Sequence, residues 1–178
     1  FGKWLREQIT ITNKISALYE LKTISNYTES LLTNFFPEID MGLWNFESIN
    51  WGIIDSLEEL NSFQESMPIS NWINKYLDNK KTIDGDLYNL TKKITKNFID
   101  YLIFRPEMIA EWNRYEINSP NLFKNLNSDQ FWQPILYKLL EKKISVKPSC
   151  LYMMELIKNL RKIKNVQFQV PNQIYIFS

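Results

Sequence analysis

The stretch Asp84-Gly-Asp-Leu-Tyr-Asn-Leu-Thr-Lys-Lys-Ile-Thr-Lys-Asn-Phe-Ile-Asp-Tyr-Leu-Ile-Phe104, followed by Arg105-Pro106, sets the fold class. Leu87, Leu90, Ile94, Phe98, Tyr101 and Leu102 recur at helical spacing and form one apolar stripe. Lys92, Lys93, Lys96 and Asp100 fall outside it. The spacing predicts a long amphipathic helix over 84–104, packed on a core by one side. It must stop at Arg105, because proline disfavours helical geometry in the residue before it. Pro106 can then open the next helix, which carries Met108, Ile109 and Trp112.

Outward from this break the same pattern repeats. A first helix runs through Trp4, Leu5 and Gln8, followed by an extended piece near 17–21. Ser25 or Asn26 caps a second helix through Tyr27, Leu31, Leu32 and Phe35, ended by Pro37. Ile49, Ile53, Ile54 and Leu57 mark a helix over 48–60, and another is expected over 70–77. A loop rich in Asn, Ser and Pro spans 117–129. Ser128 or Asp129 then caps a helix with Trp132, Ile135, Leu136 and Leu139, and a last helix over 149–163 places Met153, Leu156, Leu160 and Ile163 on one face. The tail is different. Val166–Val170 and Gln173–Phe177 are rich in β-branched and aromatic residues and read as two short terminal strands. The expected fold is mainly α. The chain opens on Phe1 without a methionine and closes inside the second strand, so it reads as cut from a longer protein.

Composition removes whole classes of chemistry. The 178 residues contain no histidine, which excludes imidazole bases and histidine-held metals within the chain. A single cysteine, Cys150, makes no internal disulfide, and four glycines, at 2, 42, 52 and 85, form no phosphate-cradling loop. No cofactor is expected. No apolar run reaches the roughly 18 to 20 residues a membrane span needs, so a soluble cytoplasmic protein without membrane contact is expected.

The remaining candidates are local. The carboxylate pairs Asp84/Asp86 and Glu58/Glu59 can serve acid–base or metal chemistry only in one cleft with further ligands; alone they read as solvated faces. Cys150 sits at a helix start that favours a thiolate, yet without a histidine it reads as an ordinary semi-buried thiol. The net charge of +1 hides a basic segment: from Lys138 to Lys164 there are eight basic residues against two acidic. That segment suits phosphate contacts or two solvated helix faces. Arg105 either satisfies the last carbonyls of the helix before it or contacts a ligand.

Phe104-Arg105-Pro106-Glu107, Trp112, Trp132-Gln133 and Leu136-Tyr137 together resemble the amino-terminal region of the RecC family, the gamma chains of exodeoxyribonuclease V. Trp4-Leu5, Phe36-Pro37-Glu38-Ile39, Ser48-Ile49-Asn50-Trp51, Leu151-Tyr152 and the strand Ile174–Ser178 match in the same order, so the resemblance covers essentially the whole chain.

The resemblance implies a helicase-like fold of superfamily one without ATPase activity. A helical subdomain, residues 23–165, would be inserted in an inactive RecA-like domain, with 1–22 and 166–178 as parts of the parent sheet. Where an active relative has an Asp-Glu pair after the strand, Phe177-Ser178 stand here. The implied role is non-catalytic. The chain would guide single-stranded DNA and scan for the Chi sequence in double-strand-break repair and recombination, with RecB-type and RecD-type subunits supplying ATP hydrolysis and nuclease activity. Arg105 is the leading DNA-contact candidate, since guanidinium suits phosphates and base edges. Lys3 beside Trp4, Lys147 in the basic segment and Lys96 are the others. Lys96, Asn97 and Ile99 replace acidic and polar residues of the family, a departure that bears on Chi specificity more than on strand binding. The competing reading is a helical protein-interaction module whose Trp and Tyr residues are interface anchors.

Overall fold

The computed structural model describes residues 2–14, 22–37, 40, 42–77 and 83–162. These fall into two compact units, Phe1–Glu38 and Ile39–Ser178. Among the described residues the regular structure is helical, as the apolar spacing predicts, and contains no strand. The expected terminal strands near 166–170 and 173–177, and the extended piece near 17–21, lie outside the described residues.

The first unit holds α1 (Gly2–Asn13) and α2 (Ile24–Phe35). The cap of α2 differs from expectation. Thr23, not Ser25 or Asn26, takes the extended cap geometry, and its hydroxyl accepts from the Asn26 amide at 3.1 Å. A side-chain oxygen reaches an amide three residues on, so the cap falls two or three residues earlier than the polar pair suggested. The helix ends at Phe35, with the Phe36 amide donating to the Leu32 carbonyl just before Pro37.

Among its described residues the second unit holds six α-helices: α3 (Phe46–Leu60), α4 (Met67–Leu77), α5 (Ile83–Phe104), α6 (Pro106–Arg114), α7 (Trp132–Ile144) and α8 (Ser149–Leu160). Its centre is α3, which packs along both α5 and α7. Asn45 caps α3 through its side-chain oxygen, which accepts from the Ser48 amide at 2.8 Å. Ile49, Ile53 and Leu60 then meet Leu90, Ile94 and Phe98 of α5 and Ile135, Leu136, Leu139 and Leu140 of α7 in one buried cluster. Gly52 is what lets α3 and α7 approach: a Cβ there would stand 2.8 Å from Leu140 Cδ2.

Helix α4 starts three residues before the expected Ser70, following a 3-10 turn over Gln64–Ser66. Pro68 is tolerated there because a first-turn amide has no partner within its helix. The long loop after α6 contains two 3-10 turns, Pro120–Phe123 and Ser128–Gln130. The cap before α7 is also displaced. Asn127, rather than Ser128 or Asp129, forms a capping box with Gln130, and it caps the second 3-10 turn ahead of α7. A polar cluster offers several oxygens, and only backbone geometry selects among them.

Candidate nucleic-acid interface

The corner between α5 and α6 is built on Arg105. Its backbone sits at φ −135° and ψ 46°, outside the helical region, as the following proline demands. The Arg105 amide donates to the Tyr101 carbonyl at 2.9 Å and closes α5. Its carbonyl accepts from the amides of Met108 and Ile109, at 3.1 and 3.2 Å, and opens α6. Both helices therefore use the backbone of one residue and leave its side chain free. The guanidinium does not cap the carbonyls of α5: it is exposed and makes no hydrogen bond or ion pair within the described residues. Its nearest effect is electrostatic. Burial raises the Tyr101 hydroxyl pKa, and the Arg105 charge opposes that rise.

The tryptophans around the break serve packing. Trp112 is buried against Tyr101, edge to face with centroids 6.2 Å apart, and against Tyr137 at 5.9 Å. Trp132 packs on the buried Phe98 at 6.5 Å. Tyr137 is fully buried and donates its hydroxyl to Asn113 Oδ1 at 3.1 Å. These aromatics clamp α5, α6 and α7 together and so aim the corner, whose exposed residues are Ile103, Phe104, Arg105 and, in the first turn of α6, Glu107.

The other candidates are dispersed. Lys96 is exposed on α5, nine residues before Arg105 and about 13 Å from it along the helix axis. Lys147 is exposed on the α7–α8 loop, which turns through Ser145 in the left-handed region (φ 59°) and is tied by the Trp44 indole N–H donating to the Val146 carbonyl at 2.6 Å. Neither lysine has a hydrogen-bond or ion-pair partner within the described residues. Lys3 is exposed on α1 of the first unit.

The basic segment is partly neutralised. Lys138 is ion-paired with Glu141 one turn on, and Lys142 reaches Glu59 of α3 at 3.3 Å. That second contact also occupies one carboxylate of the Glu58/Glu59 pair. No group of three or more acidic or sulfur ligands able to hold a metal occurs among the described residues. Burial pushes the Cys150 thiol up to about 11, against the opposing backbone amides of Leu151 and Cys150 itself. At neutral pH it is a thiol, not a nucleophile. Among the described residues no helix is long and apolar enough to cross a membrane.

With this geometry in view, the family model described as RecC, N-terminal domain, matches residues 1–178. The chain belongs to the RecC N-terminal domain family. A curated member of that lineage, the RecBCD enzyme subunit RecC of Escherichia coli (strain K12), is 25% identical over 142 residues, which is 78% of this chain. The match spans 12% of that relative's length. Within the RecC family reading, the break at Arg105-Pro106 separates two kinds of residue that the linear motif mixes: buried aromatics that hold the corner, and one exposed cation that they present. Sequence reasoning missed the exposure of Trp51 and the pairing of Tyr88 with Glu47 across α3 and α5. The available signal was Tyr88 at the edge of the α5 apolar stripe, one turn before Lys92.

Proposed function

We propose that this chain is a non-catalytic, DNA-guiding part of a RecC-type subunit, acting with RecB-type and RecD-type partners in double-strand-break repair and recombination. The observation that carries the reading is Arg105: exposed, without a hydrogen-bond or ion-pair partner among the described residues, and flanked by two helix ends that use only its backbone. A guanidinium with no bond among the described residues to give up can meet a phosphate or a base edge without breaking an existing contact. Lys96 and Lys147 of the second unit, and Lys3 of the first, add positive charge that has no ion-pair partner among the described residues. The helical stretch 23–165 is, in this proposal, inserted in an inactive RecA-like domain, and Chi scanning is a function of the whole subunit.

The test is an anisotropy titration with single-stranded DNA over a range of salt. Arg105→Ala should weaken binding by about 1–3 kcal/mol if the side chain meets a base edge, and by less, with a shallower salt slope, if it meets phosphate. Unchanged affinity removes Arg105 from the interface.

One observation favours protein contacts as a second reading for the first unit. Helix α1 has no buried residue among those described, and exposes Trp4 to 56% and Ile11 to 73%. Large apolar side chains on one short helix fit the anchors of an interface. Salt dependence separates the two readings, because phosphate contacts release counterions and apolar anchors do not.

A further inference from the structure

Trp51 is exposed to 55%, although Trp112 and Trp132 of the same unit are packed into its core. An indole left on a helix face gives up much of the stabilisation its burial would bring. It is nonetheless held in place. Its ring lies 5.5 Å from that of Tyr88 on α5, with the planes inclined at 45°. Tyr88 is itself braced twice. Its hydroxyl donates to Glu47 Oε2 at 3.0 Å, and the Lys92 ammonium stands 4.6 Å from its ring centroid. The result is a rigid aromatic pair that joins α3 to α5 and presents the indole outward.

Beyond it runs a cationic ridge. Tyr88, Lys92, Lys96 and Ile103 fall within an arc of about 80° on α5, running outward from the edge of the buried stripe, and lead to Phe104 and Arg105. From Tyr88 to Arg105 this is about 25 Å of helix. Lys92 and Lys96 have no carboxylate partner within the described residues. Among the described residues, Glu47 is the carboxylate hydrogen-bonded to the aromatic pair, through the Tyr88 hydroxyl. A protein partner covering Trp51 would have to bury or pair these lysines; a single nucleic-acid strand offers a base face for the indole and phosphates for the ammonium groups at once.

We propose that Trp51 and Tyr88 form a base-stacking platform for single-stranded DNA, with Lys92 and Lys96 on the phosphates of the adjoining nucleotides. The proposal rests on the strand-binding reading above and deepens it by naming where a base is held. Stacking accepts any base, so the platform contributes grip without sequence preference, whereas contacts to base edges discriminate.

The experiment uses the full chain with a fluorescein-labelled oligothymidylate, read by anisotropy and by tryptophan quenching. Trp51→Ala should weaken binding about tenfold and Trp51→Phe less, since a phenyl ring still stacks. An abasic oligonucleotide should bind the unaltered protein about as weakly as oligothymidylate binds Trp51→Ala. Because Trp51 is exposed, unchanged circular dichroism and melting are expected and separate lost stacking from lost fold. If Trp51→Ala binds like the unaltered protein while Arg105→Ala is impaired, the platform is refuted and the strand-binding reading stands. If the unaltered protein binds no single strand, both fall. If Trp51→Ala loses association with a RecB-type partner at unchanged DNA affinity, Trp51 is a protein anchor and the platform is again refuted.

Discussion

The Thr95 hydroxyl donates to Asn50 Oδ1 at 2.9 Å, with both residues fully buried in the seam between α3 and α5. It is a polar bond inside a largely apolar contact, and the Asn50 Nδ2 atom beside it has no partner among the described residues. The bond ties the helix that carries Trp51 to the helix that carries Lys92, Lys96 and the approach to Arg105. Removing one partner strands the other, so Thr95→Val should destabilise the protein by about 1–3 kcal/mol. Asn50→Leu combined with Thr95→Val removes both and should recover much of that loss. Urea denaturation of the two single variants and the double variant gives the coupling energy; strict additivity would mean that the bond does not matter.

Gly52 makes a different demand on the same helix. Any side chain there enters the space of Leu140, which is itself fully buried. Gly52→Val should cost about 1–3 kcal/mol through overpacking of the α3–α7 contact. The check is a chemical denaturation midpoint, with Gly52→Ala as a milder companion in which improved helix propensity offsets part of the clash.

The motif around the break should separate by mutation into fold and function. Trp112→Ala removes a buried indole from the centre of the aromatic cluster and should lose about 3–5 kcal/mol. Arg105→Ala should stay within about 0.5 kcal/mol of the unaltered protein, because its side chain is exposed and has no hydrogen-bond or ion-pair partner among the described residues. Thermal melts of the two variants measure this directly. A large loss of stability in Arg105→Ala would place its guanidinium in a structural role.

Cys150 provides a pH dependence. Its folded thiol is raised from 9.0 to about 11 by burial. The folded state therefore keeps its proton where the unfolded state has lost one, and that difference favours unfolding. The contribution to stability is complete below about pH 9 and falls as pH rises toward 11. Cys150→Ser should flatten this slope in denaturation curves taken across that window. In the native protein, thiol labelling at neutral pH should be slow and should accelerate as the pH is raised.

Much of the architecture is legible in the sequence because amphipathic helices announce themselves locally. The stripe from Leu87 to Leu102, the stop at Arg105 and the restart at Pro106 all follow from spacing and from the stereochemistry of one proline. Caps are less legible. Thr23 and Asn127 win over their polar neighbours through backbone geometry that composition does not reveal. Arg105 is found in the sequence as a candidate, but its freedom depends on the Tyr101, Met108 and Ile109 backbone groups satisfying the helix ends without it.

The sequence by itself determined the helical class, the absence of histidine chemistry, the break between α5 and α6 and the kinship with RecC. These depend on residue type and on short-range spacing. Only the tertiary structure decided which aromatics are core and which are surface. Trp112 and Trp51 are the same residue type on similarly amphipathic helices, yet one is clamped among three packed helices and the other stands in solvent against Tyr88. It also decided which charges are available, since Lys138 and Lys142 are paired while Lys92 and Lys96 carry no ion pair among the described residues. The reason is common to both: burial and pairing are properties of neighbours brought together from distant parts of the chain, and helical periodicity reports only one side of each contact.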